Sequence, residues 1–146
     1  GSPAMEEPQV VSAHAEMMAP KVDGAMHTLL HLGTSNAEQV AVELECAMRR
    51  WSFPQLTFRV TGTKGEMAVI NPILPQIWNR LTLRTAAGKQ TIPIARVSTY
   101  LRQLEAFVQA VRTGAPLATD AEQGVRNMRV IDSVYRAAGL PVRGEP

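Results

Sequence analysis

A chain of 146 residues with 15 Lys and Arg against 13 Asp and Glu carries a net charge of only +2, and its basic residues are scattered without an aromatic-basic stripe, so no nucleic-acid partner is expected. It is 45% hydrophobic and 19% charged, long enough for one domain with a real core, and it has no run of about 18 apolar residues that could cross a membrane. A single cysteine, Cys46, excludes an internal disulfide and, with no signal-peptide pattern, fits a cytoplasmic compartment.

Gly1-Ser2-Pro3-Ala4-Met5 reads as an expression scar, and residues 6–146 as a single domain. Residues 8–18 alternate, with Val11, Ala13, Ala15 and Met17 on one side and Ser12, His14 and Glu16 on the other. That period of two predicts a half-buried strand. Ala19 to Gly24 reads as a loop, residues 25–32 as a second strand, and Gly33 to Asn36 as a turn. Residues 38–49 alternate most cleanly. Val40, Val42, Leu44, Cys46 and Met48 face one way; Glu43, Glu45 and Arg49 face the other.

Arg50 to Pro54 reads as a loop. Leu56, Phe58 and Val60 begin a strand that turns at Thr61 to Gly65, where two glycines can take positive φ. Met67, Val69 and Ile70 return. Residues 80–85 and 90–95 form a hairpin across Ala87 to Lys89, and Pro93, which cannot donate to a ladder, puts the last strand at an edge. Two helices close the chain. The first, from about Thr99 to Thr113, carries Leu101, Leu104, Phe107, Val108 and Val111 in one stripe. Ser98 and Thr99 are N-cap candidates, and Gly114 with Pro116 ends the helix. Thr119-Asp120-Ala121-Glu122 reads as a capping box with Thr119 as N-cap. The second helix carries Val125, Met128, Ile131, Val134 and Tyr135, and stops at Gly139 and Pro141. Strands first and helices last predict an α+β fold: a mostly antiparallel (mixed) open sheet of about six to seven strands with both helices packed on one face.

Few residues suggest chemistry. No GxGxxG follows a strand and opens a helix, and Gly62-Thr63-Lys64-Gly65 sits in a hairpin rather than a phosphate loop. Glu43 and Glu45 share a strand face about 7 Å apart, a separation that acid/base pairs use but that a solvated sheet face also produces. His27 and His31 share a face about 13 Å apart, too far for one metal, and His14 could neighbour either; a polar sheet face is the simpler reading. Cys46, on the apolar side of its strand, reads as a buried, inert thiol. Arg49, Arg50 and Trp51 end the best strand before a proline. Two guanidiniums and an indole at a sheet rim can grip a carboxylate or sugar hydroxyls, as Trp78 and Tyr100 can from polar surroundings.

Beyond these local readings, the order of motifs is familiar. Three strands followed by Leu56-Thr57-Phe58-Arg59-Val60-Thr61-Gly62-Thr63-Lys64-Gly65-Glu66 resemble the C-terminal domain of the Gfo/Idh/MocA oxidoreductases, relatives of glucose–fructose oxidoreductase and inositol dehydrogenase. Thr99-Tyr100, Gln103-Leu104, Phe107-Val108, Arg112 to Pro116, Thr119 to Glu122 and the helix through Arg129 to Arg136 continue the resemblance, which spans nearly the whole chain.

The resemblance implies an enzyme in two parts. A Rossmann domain would hold NAD or NADP and end near a Glu-Lys-Pro motif. The C-terminal domain would close the substrate site with its sheet and build the oligomer. The family's catalytic Lys, Asp and His come from elements with no counterpart in this sequence, so no catalytic, cofactor-binding or metal residue is transferred. The chain alone is therefore expected neither to bind NAD(P) nor to transfer hydride, and it is expected to form a homo-oligomer through the sheet face or an edge. Two other readings stay open: a stand-alone binding or dimerisation module, and a small non-redox lyase or isomerase using Glu43, Glu45 or a histidine.

Overall fold

A computed structural model describes residues 7–33, 40–48, 56–117, 119–142 and 144 of the chain. The elements are β1 (Gln9–Ala19), β2 (Val22–Leu32), β3 (Val40–Ala47), β4 (Thr57–Gly62), β5 (Gly65–Ile70), β6 (Arg80–Thr85), β7 (Gly88–Ile92), α1 (Thr99–Thr113) and α2 (Ala121–Ala137). Every strand pair is antiparallel, and the class is α+β. The strands form two sheets rather than one, in the orders β1-β2-β3 and β4-β5-β6-β7. The chain divides into two compact units, Gly1–Trp51 with Thr119–Pro146, and Ser52–Ala118.

In the first unit, the stretch expected to loop from Ala19 to Gly24 is a tight hairpin. Ala19 pairs with Val22, and Pro20 and Lys21 alone make the turn. Proline presets φ at the first turn position, and Lys21 takes φ 63° at the second, the sign that a type II turn demands. The predicted alternation of β1 is shifted by an irregularity at Val11: Val10 pairs with Leu30, but Ser12 pairs with Leu29. One extra residue moves all earlier residues to the opposite face. Val10 therefore packs on the core beside Ala13 and Ala15, and Val11 is exposed.

That core centres on Met26, Leu30 and Val134, ringed by Val42, Val130, Tyr135, Ala138 and Leu140 among others. Burying Met26, Leu30 and Val134 contributes about 1.5–3 kcal/mol each. α2 packs on β1 through Val130, Val134 and Ala138, a stripe spaced by four, while Val125, Met128 and Ile131 stay exposed. The small side chains Ala13 and Ala15 let one helical stripe approach; the neighbouring one points away. Tyr135 Oη donates to Asp23 Oδ1 at 3.0 Å, and Arg129 Nη1 pairs with Glu7 Oε1 at 3.2 Å. The N-cap of α2 is Asp120 rather than Thr119: its carboxylate accepts from Gln123 N–H at 2.8 Å. Asp120 to Gln123 has the same cap-x-x-acceptor spacing one residue on, and Glu122 instead pairs with Arg126. At the other end Leu140 N–H bonds the Tyr135 carbonyl and Gly139 N–H the Arg136 carbonyl, with Gly139 at φ 72°. This is a Schellman stop, and it needs the glycine.

In the second unit, β4 and β5 join through Thr63 and Lys64, flanked by the facing pair Gly62 and Gly65. Only Gly65 of the two has positive φ, at 148°. β7 is an edge strand, and it ends at Ile92, just before Pro93. Ser98 is the N-cap of α1 without a side-chain bond, and its neighbour Thr99 donates its hydroxyl to the Ile73 carbonyl at 2.9 Å. Gly114 ends α1 at φ 69°. No residue of α1 is buried, and its apolar stripe is exposed along its length, Phe107 by 55%.

Candidate functional site

The hairpin at Pro20 and Lys21 fixes what sequence spacing left open. It sets His14 directly opposite His27, and the β2–β3 register sets Glu45 opposite His27 on the other side. Three strands thus contribute one lateral row: imidazole, imidazole, carboxylate. Glu16 Oε1 comes within 3.5 Å of His27 Nε2. Glu43 lies two residues from Glu45 on the same face, opposite Leu29. A shallow groove of about 500 Å³ runs here, lined by Ser12, His14, His27, Glu43 and Glu45. Both partners of the closest contact are well exposed, His27 by 41% and Glu16 by 49% at the side chain. Water competes for every hydrogen bond on such a face, so the row is suited to binding polar groups rather than to a sheltered proton transfer. Among the described residues no three of His, Cys, Asp or Glu stand where they could hold a metal ion.

Cys46 faces Met26 across the β2–β3 ladder and so shares the apolar side, as its parity requires. It is nevertheless exposed, which corrects the expectation of a buried thiol. Apolar alternation assigns a face; whether anything covers the end of that face is a tertiary matter.

The β4–β7 sheet has two unlike faces. Phe58, Val60, Met67, Val69, Leu81, Leu83 and Ile92 line one by register. Arg59, Arg80, Arg84 and Lys89 line the other together with Ile70, and Glu66 is the only carboxylate there among the described residues. Glu66 pairs with Arg59 and lies opposite Arg84, which in turn lies opposite Lys89. This basic face went unread in the sequence because its members are spread over about thirty residues. Their common parity shows only when the registers are known.

Of the residues picked out from sequence, Arg49, Arg50 and Trp51 lie outside the described residues. Trp78 ends a loop that Asn71 organises: Asn71, at φ 55°, donates from Nδ2 to the Leu74 carbonyl at 2.9 Å and the Trp78 carbonyl at 2.7 Å, and accepts from Leu74 N–H at 3.2 Å. Asn tolerates this left-handed backbone because its side chain bonds locally. Trp78 is 44% exposed and Tyr100, in the first turn of α1, is 69% exposed. The Thr99 bond to Ile73 ties their two segments together. Gln76 Oε1, in the same loop, is buried with no donor among the described residues.

The chain belongs to the Gfo/Idh/MocA oxidoreductase family, as its C-terminal alpha/beta domain, matched over residues 6–142. It is 34% identical over 84 residues to D-xylose 1-dehydrogenase (NADP(+)) 2 of Haloferax volcanii, a match covering 56% of this chain and 26% of that protein. Among solved structures it is similar in fold to the aldose-aldose oxidoreductase of Caulobacter crescentus complexed with glycerol, with a TM-score of 0.76 and 19% identity over 92% of this chain and 40% of that one. It is also similar in fold to the biliverdin reductase of Synechocystis, in complex with biliverdin and NADP+, with a TM-score of 0.60 and 17% identity over 93% and 41%. The chain therefore spans well under half the length of these relatives.

Proposed function

We propose that this chain is the substrate-side and oligomerisation domain of a cytoplasmic NAD(P)-dependent oxidoreductase that acts on a sugar, a cyclitol or a related hydroxyl compound. The family match over residues 6–142 carries this reading, supported by the likeness to a D-xylose dehydrogenase. A Rossmann domain elsewhere in the parent would hold the dinucleotide, and that cofactor would supply the hydride chemistry. Trp78 and Tyr100, together with Arg49, Arg50 and Trp51, are the residues we assign to the substrate side. Exposed aromatic rings stack on sugar faces and guanidiniums bond their hydroxyls. The exposed apolar stripe of α1 supports assembly, since large uncovered apolar surfaces mark interaction sites.

Calorimetric titration of the purified chain with NADH and NADPH tests the division of labour. No saturable heat is expected with either. Saturable binding at micromolar concentration would overturn it, because the chain would then carry a dinucleotide site of its own.

A further inference from the structure

We propose that His14 and His27 form a cross-strand chelate for a late first-row divalent cation, Zn2+ or Ni2+, on the polar face of the β1–β2–β3 sheet. The site lies within one sheet and stands apart from the oxidoreductase reading above.

Register brings the two imidazoles together. His14 and His27 are direct cross-strand partners, and opposite residues on one face have Cβ atoms about 4.5–5.5 Å apart. Two nitrogens on one cation, each about 2.0–2.1 Å from it, stand roughly 3 Å from one another. Side chains that start this close reach that spacing by rotation about χ1 and χ2, with the backbone still. The His14 side chain has no hydrogen-bond or ion-pair partner among the described residues, so nothing there holds its ring from turning. His27 already meets one carboxylate, with Glu16 Oε1 3.5 Å from its Nε2. Both rings line the same shallow groove.

The surroundings favour a cation. β1, β2 and β3 contain no Lys or Arg. Glu45 lies directly opposite His27 on its other side, and Glu43 follows two residues away. With Glu16 they put three carboxylates around the pair, and these attract a divalent ion. The donors then select which ion: imidazole suits Zn2+, Ni2+ and Cu2+, whereas Mg2+ and Ca2+ take oxygen ligands. Among the described residues no three of His, Cys, Asp or Glu stand where they could hold a metal ion. The two rings therefore hold it, and water fills the rest of its shell. An ion shared by β1 and β2 binds the folded hairpin in preference to the unfolded chain, and so stabilises it.

His31 is an internal control. It lies on the same face of β2 but faces Gln9 and Ala41, so no second imidazole stands across from it.

Calorimetric titration of the chain with ZnCl2 and with NiCl2, under a non-thiol reductant, is expected to show one saturable site. H14A and H27A, and the bulkier H14Q and H27Q, each lower the affinity at least about tenfold, because one imidazole lacks the chelate advantage. H31A and C46S bind as the wild type does, and MgCl2 gives no saturable heat. Urea unfolding supplies a second readout. Zn2+ raises the midpoint of the wild type and of H31A but not of H14A or H27A, and the metal-free transitions show that the variants fold. No saturable heat with either cation in the wild type overturns the chelate. So does a loss below about tenfold in the His14 and His27 variants, or an equal loss in H31A or C46S. Binding of Mg2+ as tight as that of Zn2+ also overturns it, because the carboxylates alone would then be the ligands.

Discussion

A methyl group at Gly65 would lie 2.2 Å from the Arg84 carbonyl oxygen, on a backbone already at φ 148°. Collision and torsion both oppose any side chain there. Gly88, at φ 120°, has open space around the same position. Gly65→Ala is therefore expected to cost about 1–3 kcal/mol for the torsion and more for the collision, and Gly88→Ala only the torsional part. Urea unfolding of the two variants checks this; equal losses would remove the collision from the account. Cys46 gives a second residue-level expectation. Its exposure predicts that the native chain reacts with a thiol reagent as quickly as the urea-unfolded one. A native-state rate lower by more than about tenfold would mean that the thiol is covered.

The strands and helices were largely legible from hydrophobic period and turn residues. β3 was the clearest, since Val40, Val42, Leu44 and Cys46 do share a face. β1 shows where the period misleads. The alternation from Val11 to Met17 looks continuous, but a bulge at Val11 puts Val10 on the core and turns Val11 out. The two residues are chemically identical, so nothing in their side chains signals which one is buried. Val10→Ala is expected to cost about 1–2 kcal/mol and Val11→Ala close to nothing, read from denaturant midpoints. The reverse order would remove the bulge. The cap of α2 is a milder case: Thr119 and Asp120 both suit an N-cap, and Asp120 is placed to accept from Gln123.

At the scale of the whole molecule, composition conveyed little of the candidate sites. A net charge of +2 suggested no strong field, yet one sheet face is acidic and another basic. The dinucleotide titration is a test at this scale, because it asks what the chain does as a unit. The His14–His27–Glu45 row is similar. Each residue was visible, but the row depends on a two-residue turn at Pro20 and Lys21 that reads locally as part of a longer loop.

The amino-acid sequence alone conveyed the order of the elements, about six to seven strands and then two helices, along with the lack of a dinucleotide fingerprint in these 146 residues and the likeness to one oxidoreductase domain. These are local properties: period, caps, glycines and motif order are all written within a few residues of one another. Only the tertiary structure decided the division into two sheets, the exposure of Cys46 and of α1, and which charges share a face. Those follow from strand register and from what each face is packed against, and neither is carried by any short stretch of chain. A shift of one residue in pairing moves every side chain of a strand to the other side.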